Sequence, residues 1–186
     1  MGFENEEDAK RVLAVLYKRF ERFKLKLHPA KTRLVDFRSP PRNLPKAKLQ
    51  RYEKKTRKLE SFNFLGFTHL WRRSRDSQYW VMAQVTAKDR FARALKSTKQ
   101  WCYEHMHLPI EKQHEKLCLK IKGHFAYYSI SGNFDRISRF AQGVNKLWFR
   151  SLNRRGAGKR LTWGQFNEML FRLPLPKPYI VHRRDT

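Results

Sequence analysis

Apolar positions along this chain recur with two different periods, and the changes of period mark out its elements. In residues 5–24, Ala9, Val12, Leu13, Leu16, Phe20 and Phe23 return every three or four positions, which predicts one face of a helix. Asn5 is placed to cap it, and Glu6, Glu7 and Asp8 suit the positive end of its dipole. The stretch "KLKLHPAKTRLVDF" changes rhythm: Leu25 and Leu27 alternate, Pro29 interrupts, and Leu34, Val35 and Phe37 resume. That pattern predicts a strand, a turn and a strand. Residues 38–60 form a basic connector broken by Pro40, Pro41 and Pro45, with a short helix expected in "KLQRYEKKTRKLE". Residues 62–72 and 79–86 predict two strands of a hairpin around "RSRDSQ".

The helical period returns at Thr86. "TAKD" resembles a capping box with Asp in place of Glu. Phe91, Leu95, Thr98, Trp101 and Cys102 share a face, and Pro109 stops that helix. A second helix, 111–129, turns Leu117, Ile121, Phe125 and Tyr128 to one side. A third, 134–152, does so with Ile137, Phe140, Val144, Leu147 and Trp148. "TWGQFNEMLFRL" predicts a short fourth helix, and "PLPKPYIVH" an extended tail. The expected class is α+β: a small mixed part over 1–86, then an all-α bundle over 87–186.

Charge changes this picture most. The 186 residues carry 42 Lys and Arg against 16 Asp and Glu, a net +26, and such an excess calls for a polyanionic partner. It is also patterned. On the third helix Arg136, Arg139, Lys146 and Arg150 form a stripe around Gly143, away from the apolar side. Arg154, Arg155, Lys159 and Arg160 continue it into "NRRGAGKR". Solvated helix faces usually mix signs. This one barely does, which points to phosphate binding, with Gly143 leaving room for a backbone to approach. Tyr127 and Tyr128 follow the basic "KIKGH". Tyr128 lies on the apolar face and is expected to pack; Tyr127 is either a packing residue or a platform for an unpaired base.

Several classes are disfavoured. No apolar run approaches the ~18 residues of a spanning helix, and the acidic start does not read as a signal peptide or, with Glu6 at position 6, as a myristoylation signal. Two cysteines are too few for a disulfide framework, so a cytoplasmic chain with reduced thiols and no membrane partner is expected. Cys102, His105, His114 and Cys118 read C-x2-H-x8-H-x3-C, a spacing that could gather zinc ligands across two helices. Against this, the spacing is no standard finger, and both cysteines also fit apolar helix faces.

These pieces, in this order, resemble the C-terminal part of a group II intron-encoded reverse transcriptase and maturase. "EDAKRVLAVLYKRFERFKLKLHPAKTRLVDF" resembles the end of the palm, and "FNFLGFTH" the primer grip. "IKGHFAYYSISGNFDRISRFAQGVNKLWFRSLNRR" with "LTWGQFNEMLFRLPLPKPYIVH" resembles the thumb and maturase region. The resemblance spans about Phe3 to His182. It implies a partial palm with a primer-grip hairpin, followed by a helical RNA-binding domain. It lays Phe64, Leu65, Gly66 and Phe67 against a primer strand, with Gly66 admitting a sugar-phosphate backbone. It puts Lys31 near the incoming nucleotide's phosphates as an accessory proton donor; an ordinary turn lysine is the other reading. The implied partners are group II intron RNA and an RNA–DNA primer-template.

One departure from the family matters. Its polymerases hold two Mg²⁺ on aspartates that include a Tyr-Ala-Asp-Asp turn. No Asp-Asp pair occurs in this chain, and Asp8 and Asp36 stand alone. The chain by itself is therefore expected to bind RNA and assist intron splicing and mobility, not to polymerise, and to hold no cofactor of its own. Two alternatives stand beside that expectation: a segment of an RNA-directed DNA polymerase completed by an upstream or trans-acting catalytic half, and a decayed remnant without a role.

Overall fold

The computed structural model describes residues 1–42, 44–56, 58–74, 79–155 and 160–182. Its fold is α+β, with six α-helices and one three-stranded antiparallel sheet among those residues. The chain divides into two compact units, Met1–Pro40 with Leu44–Ser61, and Phe62–Thr186 with Pro41–Asn43. The boundary read from the sequence, at residue 86, thus differs from this division at Ser61.

The first unit holds α1 (Glu6–Arg22) and α2 (Leu49–Lys55), neither of which buries a residue fully. The expected strands around Leu25–Leu27 and Leu34–Phe37 are absent among the described residues. A 3₁₀ turn, Pro29–Lys31, lies between segments to which no strand is assigned among the described residues. An apolar alternation specifies a face, and pairing then needs a neighbouring edge. Local polar contacts organise the segment instead. Asp36 N–H donates to Glu60 Oε2 at 2.7 Å, and Arg33 Nη2 donates to the Ser61 carbonyl at 2.7 Å.

The second unit begins with a correction to the greasy run at 62–72. It is two strands, β1 (Phe62–Phe64) and β2 (Phe67–Arg73), folded back on each other through Leu65 and Gly66. Both turn residues have positive φ, +47° and +79°, and Phe64 pairs with Phe67. That is the two-residue primed turn whose backbone matches strand twist, and it requires glycine-like freedom. Strand β3 (Trp80–Thr86) then pairs along all of β2, from Phe67 opposite Thr86 to Arg73 opposite Trp80.

Gly66→Val is expected to destabilise this unit by about 2–3 kcal/mol. A β-branched residue is strained at that φ, and the new Cβ would lie 2.9 Å from Tyr128 Oη. Urea melts of this variant alone and combined with Tyr128→Phe separate the two causes: the second change removes the clash and leaves the strain. A melt indistinguishable from wild type would contradict the turn.

Four helices follow: α3 (Lys88–Glu104), α4 (Ile110–Tyr128), α5 (Phe134–Leu152) and α6 (Trp163–Arg172). Leu117, Ile121, Phe125, Ile137, Trp148 and Phe166 are completely buried among them. Trp148 meets Phe166 edge-on at 5.8 Å. Helix α6 starts with a capping box: Gln165 N–H donates to Thr162 Oγ1, and Thr162 N–H to Gln165 Oε1. The box expected at "TAKD" does not form. Ala87 is the N-cap of α3, and the Thr86 backbone and hydroxyl are both committed to Asn133.

Helices α3 and α5 lie side by side and run parallel. Arg136 sits over the Phe91 ring, Leu95 over Gly143, and Ser151 Oγ donates to the Cys102 carbonyl at 2.7 Å. The space at Gly143 is filled by Leu95 Cδ2, 2.7 Å from where a Cβ would stand. The glycine expected to admit a nucleic-acid backbone therefore serves helix packing. Among the described residues no helix is long and apolar enough to cross a membrane.

Candidate functional site

The primer-grip and cationic candidates that the structure describes fall on two surfaces of the second unit. The first is the hairpin tip. Phe64 and Leu65 are 59% and 66% exposed there. An exposed leucine in the left-handed region, where Asn would be at ease, breaks a local rule, and such exceptions gather at functional positions. Helix α4 supports the tip. The Tyr127 hydroxyl donates to the Leu65 carbonyl at 2.7 Å, and its ring stacks on Phe67 at 5.6 Å. Tyr128 meets Phe67 edge-on at 5.2 Å and brings its hydroxyl up to Gly66. The group that approaches Gly66 within this chain is thus a tyrosine. Tyr127 packs on Phe67 and stays half exposed.

The second surface is the cationic stripe of α5. Arg139, Lys146 and Arg150 are exposed, and none makes an ion pair among the described residues. Arg136 differs: it is half-buried against Phe91. Because α3 packs at Gly143, the stripe runs along the outer edge of a helix pair. Arg154 and Arg160 are exposed, and Arg155 Nη2 donates to the His107 carbonyl at 3.3 Å. Lys159 and the rest of "GAGK" lie outside the described residues. Lys31, in the first unit, is exposed at the end of its 3₁₀ turn.

The four zinc candidates are dispersed. Cys102 is buried in the core, where burial pushes its thiol up to about 11. His105 stacks on Trp101 at 4.9 Å and its Nδ1–H donates to the Trp101 carbonyl. His114 donates through Nε2 to the Pro174 carbonyl, and Cys118 Sγ lies 3.3 Å from that nitrogen. Among the described residues no three His, Cys, Asp or Glu side chains come together. The four candidates therefore do not form one ligand set.

Sequence reading missed two buried polar groups, Asn133 and Gln113, and a partly buried histidine, His124. Asn133, completely buried, accepts from Thr86 N–H at 2.9 Å and donates to Thr86 Oγ1 and the Tyr128 carbonyl, each at 2.8 Å. The sequence "SGN" at 131–133 reads only as a turn before α5. Gln113 accepts from Trp148 Nε1 at 3.0 Å and donates to the carbonyls of Met106 and Leu108. His124 stacks on Phe140 at 3.8 Å, and burial lowers its pKa from 6.5 to about 4.

The unfolded chain takes up the proton on His124 first as pH falls, so stability is full above pH 6.5 and declines towards pH 4. The expected loss from this group is on the order of 1–2 kcal/mol, discounted for its partial exposure. Urea midpoints of wild type and His124→Phe at pH 7.5 and 4.5 should differ in their pH response. An equal decline in both would reject the assignment.

Comparison of the chain with protein-family models, curated proteins and solved structures returns no match.

Proposed function

We propose that this chain is an RNA-binding module, the thumb and maturase part of a group II intron-encoded protein, which grips structured intron RNA. The observation that carries this reading is the row of Arg139, Lys146 and Arg150, exposed and without ion pairs among the described residues, on a chain of net charge +26. Cations left unneutralised by the protein's own acids bind phosphates by releasing counterions. The exposed hairpin tip braced by Tyr127, and the "LHPAKT" and "FLGF" segments, support the same family reading.

The test is a titration of intron RNA with the purified chain across a range of salt. The logarithm of the affinity should fall steeply and linearly with the logarithm of salt, by about 0.7–0.9 per phosphate contacted. A flat response, or no RNA binding at low salt, would reject the reading. Double-stranded DNA competing as well as the RNA would move the assignment to a general basic nucleic-acid binder.

A further inference from the structure

A partly open cavity of about 350 Å³ lies between α5 and the extended segment that follows α6. Its size is at the low end of the ~300–1,000 Å³ typical of small-ligand sites. One wall is a third stripe of α5, separate from its core and cationic stripes: Ser138, Gln142 and Asn145, at i, i+4 and i+7. None of these three side chains has a hydrogen-bond partner among the described residues. The facing wall is apolar and stiff, built on Pro174, Pro176 and Pro178, whose rings fix the backbone. Leu170 and Leu175 complete it, and exposed Lys177 stands at the rim.

That wall is held in place from both ends. His114 Nε2 donates to the Pro174 carbonyl at 3.0 Å, and Leu175 and Ile180 pack on the core. Val181 and His182 N–H groups donate to the Ser129 carbonyl at 2.9 and 3.0 Å. The wall is therefore anchored at both ends by the protein itself.

The lining selects a ligand class. It contains no carboxylate, so a metal ion finds no hard ligand. A purely apolar ligand would cover the hydroxyl and two amides without pairing them. A planar heteroaromatic ring satisfies both walls: its faces lie on proline and leucine, and its edge meets the amides. An Asn or Gln amide offers a donor beside an acceptor, the match for the N6 and N7 edge of adenine. We propose that this cavity takes one unpaired adenine of a bound RNA, with Asn145 and Gln142 reading its edge and Lys177 meeting its phosphate. The proposal rests on the reading that the chain binds RNA, and gives that RNA a base-specific contact beside the phosphate grip.

The test uses the full chain and short uridine-rich single-stranded RNAs that differ only in one central adenosine or cytidine. The adenosine RNA should bind about tenfold more tightly, the discrimination one bidentate amide–adenine contact gives. Asn145→Leu with Gln142→Leu should abolish the preference while leaving the affinity for the cytidine RNA and the salt slope as in wild type. Asn145→Asp, which keeps the shape and removes the donor, should reduce the preference in the same direction. Equal affinity for the two RNAs, or a preference that survives both sets of changes, would overturn the adenine site and leave general RNA binding standing. Failure to bind either RNA at low salt would overturn both.

Discussion

Reversing the charge at Arg139, Lys146 and Arg150 together will cost the chain most of its affinity for structured RNA. Each of these side chains is exposed and none is paired with an acid among the described residues, so each is free to meet a phosphate. Removing one such contact lowers the salt slope by about one. Three reversals should lower it by about three and cut affinity at moderate salt by roughly a hundredfold or more. The same changes should leave thermal unfolding close to wild type, because exposed positions without partners shift stability little. Arg136→Glu separates two roles. Arg136 is half-buried over Phe91, so its reversal should lower the melting temperature as well as the affinity. Filter binding or fluorescence anisotropy over a salt series reads the effect. Unchanged affinity in the triple variant would remove the α5 stripe from the interface.

The second large effect is expected inside the protein. Asn133→Leu should destabilise the second unit by about 3–5 kcal/mol. The substitution removes one acceptor and two donors, and it strands the buried Thr86 N–H and hydroxyl, while the Tyr128 carbonyl keeps its bond from Ile130 N–H. An unpaired buried polar group costs about 1–3 kcal/mol, and here more than one is left. Asn133→Asp is the informative companion: it keeps the acceptor for Thr86 N–H and loses the two donated bonds, so an intermediate loss is expected. Chemical denaturation followed by tryptophan fluorescence measures both. If Asn133→Leu unfolds at the wild-type midpoint, the three bonds do not hold this junction.

The helices of the bundle were legible because each keeps a 3.6-residue apolar stripe long enough to outweigh local exceptions. Ile137, Phe140, Val144 and Trp148 were read as inward and are buried. The cationic stripe was legible for the same reason, since like charges at helical spacing reveal a face. Three features could not be read this way. The turn at Leu65–Gly66 lacks the Asn-Gly or Asp-Gly signal of a primed turn, so two strands looked like one. The role of Gly143 depends on Leu95, forty-eight positions earlier in the chain, and no local pattern joins them. The amide stripe of Ser138, Gln142 and Asn145 carries neither charge nor hydrophobicity. It gained meaning only when the proline-rich segment was found facing it.

The junction at Asn133 also bears on the order of assembly. Three distant stretches meet within residues 128–133: Thr86 at the end of β3, the close of α4 with the start of α5, and the backbone of Val181 and His182. Thr86 and Asn133 are 47 residues apart, and Ser131 and His182 are 51. Loops of that length form slowly compared with the helices they join, because closure entropy is lost before the contacts are gained. The junction is thus expected to close late in folding. During synthesis the expected order is two instalments: the end of β3 can dock once Asn133 has emerged, and the proline wall can close only after His182 has been made.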